Sequence, residues 1–103
     1  MDFVNLHNHT HFSILDSLIS PKDLFKRAAE LGQSAVAVTD HGTFAGVWDA
    51  LKASRETGVK MIVGAEFYFS EDVNNKDEKF RHVILIAKNA TGYKNILTLN
   101  RKG

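Results

Sequence analysis

No cysteine occurs among the 103 residues of this chain, which excludes disulfides and thiolate metal sites together. An excess of charge of one sign is missing as well. Thirteen Lys and Arg face twelve Asp and Glu, a formal net charge of +1, far from the basic balance that announces a nucleic-acid-binding face. On charge alone, no nucleic-acid partner is expected. No apolar run approaches the roughly 18 residues that a membrane span needs. The opening Met1-Asp2-Phe3 shows neither a basic leader nor an apolar signal core, so a cytoplasmic protein with no membrane contact is expected. In that setting the sequon matches Asn8-His9-Thr10 and Asn89-Ala90-Thr91 carry no meaning. Repeats, linkers and low-complexity segments are absent too. With 44% hydrophobic residues and seven Phe, the chain has material for one modest core, and residues 1–103 read as one globular unit or a piece of one.

What is present alternates between strand and helix. Residues 3–9 place Phe3, Asn5, His7 and His9 against Val4, Leu6 and Asn8, so a strand there sets His7 and His9 on one face. Ser20-Pro21-Lys22-Asp23 opens a helix: Ser20 can cap, Pro21 suits the first helical position, and Asp23 favours the positive end of the dipole. Leu24, Phe25, Ala28 and Leu31 form its buried stripe and Gly32 its stop. Residues 33–39 make a strand apolar on both faces, ended by Asp40-His41-Gly42. A second helix is expected from about Thr43, with Phe44, Val47, Trp48 and Leu51 as its core side and Gly58 as terminator. Residues 60–69 form a third strand, 70–81 an exposed loop, and 82–87 a fourth strand. A last helix, opened by Thr91-Gly92, carries Tyr93, Ile96 and Leu97, and Arg101-Lys102-Gly103 reads as a frayed end.

The resulting order βαβαββα argues for a right-handed α/β layer, in which working residues gather at the carboxyl ends of strands. His7, His9, His41 and Glu66 obey that rule. His82, at the start of the fourth strand, obeys it only if that strand runs antiparallel to the third, which is therefore expected. Residues two apart on a strand are about 6.8 Å apart with side chains parallel, so His-x-His is a chelating spacing. Alone, it is equally an ordinary strand pair. Together with Asp16, Asp40-His41, Glu66 and His82 it reads as a nitrogen and carboxylate ligand set suited to zinc, manganese or iron.

Each of these residues has a plainer reading. Asp16 can be a turn former, Asp40-His41-Gly42 turn chemistry, and His82 a solvated strand-start histidine. Glu66 lies inside the apolar stretch 61–69, where an unpaired carboxylate is costly, so it needs an ion or a basic partner. His11 reads as a surface histidine.

Four blocks, "FVNLHNHTHFSILDS", "AVAVTDHGTFAG", "VKMIVGAEFYF" and "HVILIAKNATGYKNILTLN", resemble in order and spacing the polymerase and histidinol phosphatase (PHP) domain. The version they resemble is the one at the amino terminus of bacterial DNA polymerase III alpha subunits. The resemblance implies that His7, His9 and Glu66 share one metal, that Glu66 bridges to a second metal with His82, and that Asp16 and His41 hold a third. Asp40 would orient an imidazole from behind.

The same resemblance implies a distorted (β/α)7 barrel, of which this α/β chain supplies the first four strands and three helices. A barrel of that kind needs about 200 residues or more, so the chain is expected to be the first portion of a PHP domain, as a fragment or a reduced form, unclosed and without a polymerase domain. The missing later ligands argue against efficient turnover by the chain alone. Exposed strand edges would favour self-association or a partner chain that completes the barrel. Two functions follow from the resemblance. One is a metal-dependent phosphoesterase in DNA replication, with two or three divalent ions, a metal-bound hydroxide as nucleophile, and a phosphate ester or DNA 3′ end as substrate, a 3′ to 5′ exonuclease in its polymerase form. The other is a non-catalytic module that docks polymerase or proofreading subunits.

Overall fold

Ser20 and Pro21 begin the first helix as their chemistry requires. In the computed structural model, which describes residues 3–72, 74–75 and 79–102, α1 spans Pro21–Glu30. The Ser20 side chain accepts the Asp23 N–H at 3.1 Å. Pro21, Phe25 and Ala28 are buried. Leu31, expected in the same stripe, is instead 56% exposed, because it is the C-cap residue, where the chain leaves the helix, followed by Gly32 at φ 71°.

The next strand, β1 (Ala35–Val38), is buried at all four positions, as a strand covered on both faces must be. Residues 43–44 are irregular and 45–46 form a turn before α2 (Val47–Thr57), so this helix starts four residues later than the pattern suggests. Its buried residues are Ala50 and Ala53. Trp48, expected in the core, is 68% exposed. Two residues turn a helix by about 200°, so Trp48 points away from Ala50, and the small alanine face lets α2 pack closely on α1. Gly58 then ends α2 at φ 76°.

Strand β2 (Lys60–Phe69) does two jobs along its length. Lys60 to Val63 pair parallel with Ala35 to Val38 of β1, and Gly64 to Phe69 pair antiparallel with β3 (Arg81–Ile86). The antiparallel β3 is the arrangement that His82 demanded. Helix α3 (Ala90–Lys102) closes the chain with Ile96 buried. The Asn89 side chain accepts the Gly92 N–H at 2.9 Å near its start. Arg101 and Lys102 are helical, not frayed. Gly103, and residues 73 and 76–78 of the expected loop, lie outside the described residues.

The segment 3–9, expected as a first strand, runs beside β1 without forming a regular ladder. The Ala37 N–H donates to Asn5 O at 3.1 Å and the Thr39 N–H to Asn8 O at 3.0 Å. Three residues on one side therefore match two on the other, and strict pairing fails. Asn8 compensates by donating its side-chain amide to Ala37 O and Asn5 O at 2.9 and 3.0 Å. The described residues thus form three helices and an unclosed sheet of order β1-β2-β3, the open α/β arrangement of a partial barrel. Its core, Phe25, Ala28, Val36, Val38, Ala50, Ala53 and Val59, holds the two parallel strands against α1 and α2.

Gly64 marks the point where β2 changes partner. A Cβ built there would sit 2.5 Å from the Leu85 carbonyl oxygen, a backbone atom that cannot swing aside. Gly64→Ala is expected to cost about 1–3 kcal/mol, read as a lower urea midpoint. An unchanged midpoint would mean that the β2–β3 ladder yields more easily than this contact allows.

Candidate metal centre

The carboxyl ends of β1 and β2 are locked together by the backbone of Glu66. Its N–H donates to Asp40 O at 3.0 Å and its carbonyl accepts the Gly42 N–H at 2.9 Å, so a bridge between His41 and Glu66 continues the parallel pairing beyond Val38. This fixes a buried carboxylate, 3% exposed, where the amino-terminal segment and β3 converge.

Three histidines address that carboxylate. Glu66 Oε2 accepts from His9 Nε2 and, at 3.3 Å, from His7 Nε2. Glu66 Oε1 lies 3.3 Å from His82 Nδ1. One donor atom from each of His7, His9 and Glu66 falls within 4.8 Å of the others, a group compact enough for a single ion. Burial pushes the Glu66 carboxyl up, but the hydrogen bonds and charges of His9 and His7 outweigh it and hold the group below its ordinary value of 4.5.

A second cluster adjoins the first. Asp16 Oδ2 lies 3.4 Å from His41 Nδ1 and 3.9 Å from His9 Nδ1. The other ring nitrogen of His41, Nε2, is buried and has no hydrogen-bond partner among the described residues. A buried polar atom without a partner is costly, and a nitrogen left in that state on a ring whose other nitrogen faces the Asp16 carboxylate fits a ligand position. The imidazoles of His41 and His82 are 5.2 Å apart, and those of His9 and His41 6.2 Å. Nitrogen and carboxylate donors without sulfur, several of them half-buried, suit divalent metal ions. All six ligand candidates, His7, His9, Asp16, His41, Glu66 and His82, are therefore brought into one neighbourhood.

Asp40 works differently from the expectation. Fully buried, its carboxylate accepts the Thr10 N–H at 2.6 Å, the Thr10 hydroxyl at 2.8 Å and the Ser13 hydroxyl at 2.9 Å. It therefore grips the loop between His9 and Asp16 and touches no imidazole among the described contacts. Its link to His41 is indirect, since Ser13 Oγ also accepts the His41 N–H at 2.9 Å. The same loop holds Leu15 at φ 75°, a conformation disfavoured for a non-glycine residue, directly before Asp16. His11 is exposed and packs edge-on against Phe12, away from the cluster.

Tyr68 is the neighbour that the sequence reading missed. Its ring lies 4.7 Å from that of His41 and 5.1 Å from that of His82. The available signal was its position two residues after Glu66 on the same strand, which gives both side chains the same face.

Comparison with known proteins bears on the family and the fold. Residues 5–102 match the PHP domain family. DNA polymerase III subunit alpha of Aquifex aeolicus is 42% identical over 111 residues, covering 96% of this chain and 10% of that protein. The subunit of the same name from Treponema pallidum is 38% identical over 108 residues, covering 99% of this chain and 9% of that protein. The chain thus spans no more than 10% of the length of these two relatives. Among solved structures, a protein described as a metal-dependent phosphoesterase from Bifidobacterium adolescentis is similar at a TM-score of 0.71 and 28% identity, over 94% of this chain and 32% of that one. An amidohydrolase from Chromobacterium violaceum shares the fold at a TM-score of 0.68 and 21% identity, over 92% of this chain and 32% of its own. With 98 consecutive residues, 5–102, matched to one family and the histidines of its motifs gathered around a buried glutamate, the chain belongs to the PHP domain family.

Proposed function

We propose that this chain is the metal-holding part of a PHP-type phosphoesterase that works beside a replicative DNA polymerase. The observation that carries the reading is the division of one buried carboxylate: one oxygen of Glu66 serves His7 and His9, the other faces His82. A carboxylate so divided suits two ions better than one. In this reading His7, His9 and Glu66 hold the first divalent ion, Glu66 and His82 the second, and Asp16 with His41 a third, drawn from zinc, manganese or iron. Bound ions supply an activated water and neutralise charge on the departing oxygen of a phosphate ester.

The chain's own residues position and enclose that chemistry. Asp40 and Ser13 fix the loop that carries Asp16, and the backbone of Glu66 fixes the junction of β1 and β2. Substrates are phosphate esters, a DNA 3′ end among them. The open sheet is completed by further chain or by a second copy, because a closed barrel of this type needs about 200 residues or more. Support for the polymerase setting comes from the relatives, and support for the ester chemistry from the phosphoesterase structure.

Elemental analysis of the purified protein beside His7→Ala tests the reading. About two or more divalent ions per chain, reduced in the variant, are expected, together with ester hydrolysis in manganese or zinc that disappears when His7 and His9 are both replaced by Ala. A parent protein that binds no metal at micromolar free zinc or manganese would overturn it.

A further inference from the structure

Tyr68 on β2, His82 on β3 and His41 in the loop after β1 are distant in sequence, yet their rings form a closed triangle with sides of 4.7, 5.1 and 5.2 Å. Tyr68 is opposite His82 in the β2–β3 ladder, where cross-strand side chains meet. His82 needs such support. Its side chain is 55% exposed, and its one carboxylate neighbour among the described residues is Glu66, so little else restricts the ring. His41 has the converse problem: one nitrogen faces Asp16 while the other is buried without a partner, an orientation that neighbouring rings must maintain. Phe80, 5.7 Å from Tyr68, backs the tyrosine ring.

We infer that Tyr68 is a positioning residue that sets His41 and His82 relative to each other and so couples the two ions which those histidines would hold. The inference rests on the proposed ligand roles of His41 and His82 and adds a residue to them. Tyr68 acts through packing of its ring. It touches neither His7 nor His9 in any described ring contact, so no direct contact ties it to the ion held by His7, His9 and Glu66. A tyrosine kept only for strand propensity would show no such selectivity.

The test is equilibrium dialysis against buffered free Zn2+, with metal counted per chain for the parent, Tyr68→Leu and Tyr68→Phe, and with Co2+ absorption spectra recorded alongside. Tyr68→Leu is expected to weaken the ions held through His41 and His82 by about 10- to 100-fold, the usual effect of removing a support behind metal ligands. The remaining ion should bind as in the parent, and the Co2+ band shape should change accordingly. Tyr68→Phe should restore both. The inference is overturned if Tyr68→Leu matches the parent in occupancy and spectrum, or if Phe fails to rescue. It is also overturned if all ions weaken equally together with a lower unfolding midpoint of the metal-free protein, which marks a general structural role. A parent that binds no Zn2+ or Co2+ defeats the proposed metal centre first and this inference with it, so the two failures are told apart by the parent alone.

Discussion

Glu66→Gln is expected to strip the protein of metal while leaving it folded. Glutamine keeps the volume of the buried side chain and can still hydrogen-bond imidazoles, so the junction of β1 and β2, held by the backbone of residue 66, should persist. What disappears is the negative charge that faces His7, His9 and His82 at once. Loss of supports behind metal ligands already lowers affinity by about 10- to 100-fold, and loss of a shared carboxylate should exceed the upper end of that range. The measurement is metal per chain at micromolar free zinc, with far-UV circular dichroism as the check on folding. A folded Glu66→Gln protein with the parent's metal content would show that Glu66 is not a ligand, and that its burial serves only the histidine contacts.

The second large effect belongs to Asp40. Replacing it with Ala leaves the Thr10 N–H, the Thr10 hydroxyl and the Ser13 hydroxyl without their acceptor in a site closed to water. Hydrogen bonds to a charged group are worth about 1.5–3 kcal/mol each and are not additive, so a loss on the order of 3–5 kcal/mol is expected. That is a large share of the roughly 5–15 kcal/mol that stabilises a domain. Relaxation offers little relief, because Gly46 packs so closely that a Cβ there would lie 3.0 Å from both the Asp40 carboxylate and the Phe12 ring. Asp40→Asn, which keeps an acceptor oxygen, should cost less than half as much. Urea midpoints of the metal-free proteins decide the matter. An Asp40→Ala protein within about 1 kcal/mol of the parent would mean that the loop at residues 10–13 is held by something other than this carboxylate.

Much of the architecture was legible because local signals and burial agreed. Ser20-Pro21, Gly58 and the all-apolar Ala35-Val36-Ala37-Val38 each carry a backbone requirement that few other arrangements satisfy. The antiparallel β3 followed from a chemical demand, since His82 could join the other histidines in no other way. The failures have physical reasons as well. Alternation in residues 3–9 concealed a register slip, which depends on the Asn8 side chain substituting for ladder bonds. Helical spacing alone does not phase α2: it puts Trp48 on the buried side, which the small residues Ala50 and Ala53 occupy. Adjacency in sequence pairs Asp40 with His41, but its carboxylate turns to Thr10 and Ser13, partners 27 to 30 residues earlier, a pairing that no local pattern encodes. Tyr68 gives no signal of its own in the sequence, because an aromatic in a strand ordinarily needs no explanation.

The donor atoms around Glu66 are far apart along the chain, His7 by 59 residues and His9 by 57. Bringing such distant segments together is among the late and slow events of folding, since loop-closure entropy must be met before the contacts reward it. A chain with only its helices in place therefore has no centre to fill. An ion bound there as proposed would act as a lock on the finished molecule: it would stabilise the native state alone, retard unfolding, and have little influence on how fast the chain first reaches its fold.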